Sequence, residues 1–201
     1  MHPYQVDETV RTRVFLLCAT TAILIAYGAS GLINALHFQP PWWLEYPSAF
    51  GLFALLNAAF NRYLWNWGPF SALPWFRIPS VAGVWDARLG SSHDSFASQH
   101  QASVMIRQTG SRLSVSLDAP DSTSHSLSAS LLPLETLTDY QLTYHYLNTP
   151  KPSAPPEMVP HYGVAVLRFA LNPSTLKGEY FSGRGRHEHG DIVLTPKTQA
   201  A

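Results

Sequence analysis

Charge is scarce in this chain and unevenly placed. Only 13% of its 201 residues are Asp, Glu, Lys or Arg, about half the usual share. Between Arg13 and Arg77 the only formal charges are Glu45 and Arg62. The 13 basic and 13 acidic residues cancel, so there is no basic field of the kind that holds a DNA or RNA polymer. Cysteine is nearly absent: Cys18 stands alone, forms no internal disulfide and gives no reason to expect an oxidising compartment. Catalytic signatures are missing too. There is no nucleophile elbow, phosphate-binding loop or paired-cysteine motif. Asp86, Asp94, Asp118, Asp121, Asp139 and Glu179 follow no spacing that pairs an acid with a base. Neither an enzyme nor a bound cofactor is expected.

What fills the charge-poor region is apolar sequence. Val14 to Phe38 carries no charge over 25 residues, and a helix crosses a bilayer core in about 20. A second run, Tyr46–Asn61, reaches spanning length if it continues to Trp65 with Arg62 reaching back to the interface. Pro40 and Pro41 separate the two runs and stop helix continuation. Trp42, Trp43 and Tyr46 gather at that turn, and Tyr63, Trp65, Trp67, Trp75 and Phe76 gather beyond the second run, as suits the headgroup region. Small residues form a stripe on each helix: Ala22, Ala26, Ser30 and Asn34 on the first, Gly51, Ala54 and Ala58 on the second. Such stripes let helix backbones approach closely in lipid. Residues 1–76 therefore predict a two-helix transmembrane hairpin; the alternative is a buried helical hairpin of a soluble protein. A cleaved signal peptide is not expected, because the first run is too long and a second follows. Arg11, Arg13, Arg62 and Arg77 flank the hairpin, whereas its turn, His37–Tyr46, has no Lys or Arg. Basic flanks stay cytoplasmic, which predicts a two-span membrane protein with both termini in the cytoplasm.

From Pro79 the pattern changes to period-two alternation. It runs through residues 83–89, 103–109, 112–117, 124–131, 140–147, 162–171, 176–181 and 191–195. Gly110-Ser111 is a tight hairpin signal, and no helix-length segment intervenes. Short connections favour antiparallel neighbours, and closure removes exposed edges. Residues 77–201 predict an eight-stranded antiparallel up-and-down β-barrel, with a two-sheet sandwich as the alternative. The longest loop, Thr149–Pro160, holds five prolines. It is extended and semi-rigid: a lid or partner contact at the mouth, or a plain surface connection.

An eight-stranded barrel is filled by side chains or holds one small ligand. Strand parity aligns Tyr140, Leu142, Tyr144 and Tyr146; then Tyr162, Val164, Val166 and Arg168; then Leu176, Gly178 and Tyr180. Trp85 and the aliphatic residues read as core. Tyr144, Tyr146, Tyr162, Tyr180 and Arg168 are either core or ligand-binding, since aromatic rings stack on nucleobases and Arg grips phosphate. Arg184 and Arg186, flanking Gly185, are either a phosphate clasp at the rim or a solvated hairpin tip. His187 and His189 fall on one side of a strand and share a metal only if a third ligand such as His161 converges; solvated histidines are the simpler reading, and no metal site is expected.

The order of parts resembles a known family. Two amino-terminal spans are followed by Pro79, Gly83-Val84-Trp85, SHSLSAS (124–130), LTYHYLNTP (142–150), HYGVAVLRF (161–169), LKGEYFSGRGR (176–186) and HGDIVLTP (189–196). This is similar to the two-transmembrane β-barrel effectors of CBASS, the bacterial anti-phage signalling by cyclic oligonucleotides. The Gly83-Val84-Trp85 piece also resembles lipocalin-like barrels. The effector resemblance implies a barrel that binds a cyclic dinucleotide, oligomerisation, disruption of the inner membrane and death of the infected cell. The implied partners are a cyclic dinucleotide, the lipid bilayer and further copies of the chain. The alternative is a membrane-anchored lipocalin-like carrier or scaffold for an apolar molecule.

Overall fold

The computed structural model describes residues 1–37, 49–134, 139–183 and 188–197. They divide into two units: Glu8–Ile78, and a second built from Met1–Asp7 together with Pro79 onward. That division differs from the boundary expected at residue 76, chiefly because the first seven residues group with the sheet.

The helical unit begins with α1, Glu8–Ala35, 28 residues long and so about 42 Å. It is the one helix among the described residues long and apolar enough to cross a bilayer. Its buried side chains, Val10, Val14, Cys18 and Ala22, recur every four residues and form one stripe. Elsewhere Leu16, Ile23, Leu24 and Leu32 are exposed, so the helix is apolar around its circumference. The second helix, α2 (Ala49–Arg62), has 14 residues, about 21 Å, against a core of about 30 Å. Phe15 of α1 meets Phe53 of α2 edge-on, ring centroids 4.9 Å apart. The small-residue stripes take only a partial share in burial: Ala22 on α1 is buried and Ala26 half-buried, whereas Ser30 and Asn34 on α1 and Gly51, Ala54 and Ala58 on α2 are exposed. Ser30 Oγ donates to Ala26 O of its own helix at 3.0 Å. Asn61 Nδ2 donates to Asn57 O and Oδ1 within α2. Past α2, Phe60, Phe70 and Phe76 stack edge-to-face in a chain. The turn expected around Pro40, Pro41, Trp42 and Trp43 lies outside the described residues.

Among the described residues the second unit is a nine-stranded sheet, one strand more than the eight expected. In chain order the strands are β1 (His2–Val6), β2 (Gly83–Leu89), β3 (His100–Gln108), β4 (Arg112–Asp118), β5 (Ser122–Pro133), β6 (Asp139–Pro150), β7 (His161–Ala170), β8 (Leu176–Ser182) and β9 (His189–Pro196). Sequential neighbours from β2 to β9 pair antiparallel, and β9 returns to β2, giving a closed barrel. The eight strands read from alternation are all present, with ends shifted by a few residues. β6 extends through Thr149 and Pro150, into the segment expected to be loop.

The ninth strand fills a gap. β4 and β5 pair directly over only three positions, Ser116↔His125 to Asp118↔Thr123. Beyond them β5 carries a register shift between Ser126 and Ser128, and a bulge of this kind bends a strand away from its neighbour. β1 enters the opening, antiparallel to β4 at His2↔Leu113 and parallel to β5 from Tyr4↔Ala129 to Val6↔Leu131. Ser126 bridges the join: its hydroxyl accepts from Val115 N at 2.9 Å and bonds His2 Nε2 at 2.7 Å.

Below the mouth the interior is filled by apolar side chains. Leu113, Val104, Leu131, Leu142, Leu167, Leu176 and Leu194 are fully buried. The Trp85 indole N–H donates to Val81 O at 3.1 Å, so Trp85 belongs to this core. At the closed end one side chain collects both chain passages to the helices. Gln108 Nε2 donates to Pro79 O at 3.0 Å and to Tyr4 Oη at 3.3 Å, and its Oε1 accepts from Val81 N at 2.9 Å. Tyr4 Oη in turn donates to Thr109 O at 3.2 Å. Burial pushes the Tyr4 hydroxyl pKa up to about 12 despite the Gln108 bond, so it is a neutral donor near pH 7. Gln108→Ala is expected to lower barrel stability by about 2 kcal/mol, a fall in Tm of roughly 5–10 °C by near-UV circular dichroism. An unchanged Tm would show that Gln108 does not hold the two passages.

Candidate functional site

The end of the barrel away from Gln108 is open. A cavity of about 480 Å³ lies there, within the range of small-molecule sites. Its inner wall is formed by Leu89 of β2, Leu117 of β4, Tyr144, Tyr146 and Asn148 of β6, His161 and Ala165 of β7, Tyr180 of β8 and Ile192 of β9. Loop residues make the rim: Ser91 and His93 between β2 and β3, Asp121 between β4 and β5, Met158 from the proline-rich segment, and Glu188 before β9.

Tyrosines are present here because glycines make room. Tyr146 lies opposite Gly163 in the β6–β7 register, and Tyr180 opposite Gly190 between β8 and β9. A Cβ on Gly163 would run into the Tyr146 ring and hydroxyl and the Phe181 carbonyl; one on Gly190 would run into the Tyr180 ring and the Gly90 carbonyl. Each ring can therefore lie across the neighbouring strand. The hydroxyls are held by backbone: Tyr146 Oη donates to Phe181 O at 3.4 Å and Tyr180 Oη to Gly90 O at 3.2 Å. Tyr144 and Tyr146 have ring centroids 6.2 Å apart, tilted by 55°. Burial, and secondarily Tyr146, push the Tyr144 hydroxyl pKa above its usual value, keeping it protonated.

The rim is ordered by short-range polar pairs. His93 Nδ1 meets Glu188 Oε1 at 2.9 Å. Asp94 accepts from the Ser98 hydroxyl and backbone N–H and faces His100 at 3.5 Å. The Ser98 hydroxyl, ahead of the His100 charge, holds the Asp94 carboxyl below the usual carboxylate range. Among the described residues the cavity is lined by no Lys or Arg. Ser182 and Glu188, the lining residues on either side of 184–187, flank in sequence the two arginines expected at the rim.

Of the residues singled out from sequence, Tyr144, Tyr146 and Tyr180 line the cavity. Tyr162 and Arg168 do not. Tyr162 is 64% exposed, and the inward face of β7 is His161, Gly163, Ala165, Leu167 and Phe169. The expected parity of this strand is thus reversed. Arg184 and Arg186 lie outside the described residues, as does His187. His189 is exposed with its ring 6.0 Å from Phe96. Among the described residues, no group of three potential metal ligands includes it or His161. Sequence reading missed Asn148, named His161 only as a conditional third metal ligand, and reached Met158 only as part of the proline-rich loop. Asn148 shares the Leu142-Tyr144-Tyr146 parity, a signal that was available. Gly163→Ala is expected to displace the Tyr146 ring, lowering stability by about 1–3 kcal/mol and shifting tyrosine near-UV dichroism. A wild-type spectrum and Tm would contradict the packing described.

Residues 76–196 match the family described as Cap15, cyclic dinucleotide receptor domain. No curated protein matches the chain. The matched span takes in β2 through β9 and every lining residue of the cavity, and it covers more than half of the 201 residues. The chain therefore belongs to the Cap15 family of CBASS cyclic dinucleotide receptors.

Proposed function

We propose that the chain is a non-enzymatic CBASS effector whose barrel mouth takes a cyclic dinucleotide, after which copies assemble and the helices disrupt the inner membrane, killing the infected cell. The observation that carries this reading is the tyrosine-walled cavity inside the receptor-domain match. Tyr144, Tyr146 and Tyr180 supply aromatic surface against which bases stack. Ser, Asn and His side chains around them offer hydrogen-bonding groups that the alternative ligand, an apolar molecule, would leave unmatched. Arg184 and Arg186, between two rim residues in sequence, supply the positive charge that two phosphates call for.

In this proposal α1 spans the membrane and α2, continued past Arg62 to Trp65, makes a second span. Arg11, Arg13, Arg62 and Arg77 keep both termini and the barrel in the cytoplasm, where the ligand is made. One ligand in one barrel perturbs no bilayer; concentrating many hairpins does. The exposed Ser30, Asn34, Ala54 and Ala58 suit close helix contacts between copies. Ala26→Leu and Ser30→Leu are expected to leave cyclic dinucleotide affinity unchanged in calorimetry on the full-length protein in detergent. They should also raise survival of cells expressing the activated system about ten-fold or more. Killing at the wild-type level would remove these helix faces from the mechanism, and the absence of any cyclic dinucleotide binding would remove the proposal itself.

A further inference from the structure

Four polar side chains are buried among the described residues: Ser91, Ser126, Asn148 and His161. Ser91 accepts from His93 N, and Ser126 bonds both Val115 N and His2. Asn148 differs. It is 9% exposed, and among the described residues its carboxamide has no hydrogen-bond partner. The hydrogen bonding of the fold does not account for such a group, because a carboxamide with no protein partner adds no hydrogen bond to it.

His161 stands directly across from it in the β6–β7 register and is 8% exposed. Its Nδ1 lies 3.1 Å from Val159 O. A carbonyl only accepts, so Nδ1 carries the hydrogen, and in the neutral ring Nε2 is left as an acceptor. Both residues line the cavity. Neither has a partnerless side-chain polar atom sealed from solvent; that condition is met only by Asp94 Oδ1 among the described residues. Their unused groups are thus reached from the cavity.

We infer that Asn148 and His161 form the base-reading wall of this site and select a cyclic dinucleotide that carries guanine. The inference rests on the mouth being the cyclic dinucleotide site. Asn148 offers donors at Nδ2 and an acceptor at Oδ1, and His161 adds a second acceptor at Nε2. The matching edge presents one acceptor and two separate N–H groups. Guanine has this set on its Watson–Crick edge: O6, N1–H and the N2 amino group. Uracil offers a single N–H between two carbonyls, one of which would face the Nε2 lone pair. Adenine offers one amino group beside a ring acceptor. Tyrosine faces bind any base; the Asn148–His161 pair distinguishes them, because a wrong base leaves a buried group unmatched.

The test is calorimetric titration of the full-length protein in detergent with cyclic di-GMP, cyclic di-AMP and cyclic di-UMP, together with melting of the ligand-free protein. Cyclic di-GMP should bind at least about ten-fold tighter than either of the others. Asn148→Leu should weaken cyclic di-GMP by about ten-fold or more while leaving the ligand-free Tm equal or higher, since no hydrogen bond of the fold is lost. His161→Gln, which keeps an acceptor, should retain more of the preference than His161→Leu. Equal affinity for all three ligands would overturn the inference without any variant. So would wild-type cyclic di-GMP affinity in Asn148→Leu, or a lowered ligand-free Tm, which would assign Asn148 a structural role. If none of the three binds the wild-type protein, the reading of the mouth itself fails.

Discussion

Closure of the sheet depends on a five-residue strand that is not contiguous with the rest of it. β4 and β5 diverge after three paired positions, and β1 occupies the gap. Without it, Arg112–Leu113 and Ala129–Leu131 would present unpaired backbone, a cost the fold avoids. Only Asp7 separates this strand from α1. The sheet is therefore joined to the helical unit by two chain passages, and Gln108 bonds residues of both.

That arrangement divides the barrel into two regions along its length. The end holding Gln108, Tyr4 and the leucine core is filled by buried, mostly apolar side chains. The other end carries tyrosines, buried polar groups and loops. Gly163 and Gly190 make the second region possible, since the rings of Tyr146 and Tyr180 occupy the space their side chains would take. A receptor needs both: a rigid base that fixes the geometry and a mouth that keeps some hydrogen-bonding groups for its ligand.

Much of this was legible in the sequence. The antiparallel meander followed from alternation, and Tyr144, Tyr146 and Tyr180 reached the cavity by parity. β7 misled because both of its faces carry apolar residues. Its outward face has Val164 and Val166, while its inward face gives up bulk at Gly163 and Ala165 to neighbouring rings. The charge on Arg168 was the available cue, since an unpaired guanidinium seldom faces a core. β1 was not legible, because His2–Val6 contains a proline and too few residues to show a period, and its role exists only once β4 and β5 part. Asn148 shared the parity of Tyr144 and Tyr146, but one amide in an aromatic strand gives no motif, and its lack of a partner is a property of the folded chain. The second helix reads as a span by composition, but at 14 residues α2 falls short of one by length.

The most direct measurement is amide hydrogen exchange on the full-length protein in detergent, with and without the tightest binder among cyclic di-GMP, cyclic di-AMP and cyclic di-UMP. Added protection should concentrate at the mouth, in the peptides that hold Tyr144–Asn148, His161 and Tyr180, and the core peptides around Leu113 and Leu131 should change little. Protection confined to other surfaces, with the mouth unaltered, would contradict the assignment of the ligand to the open end of the barrel.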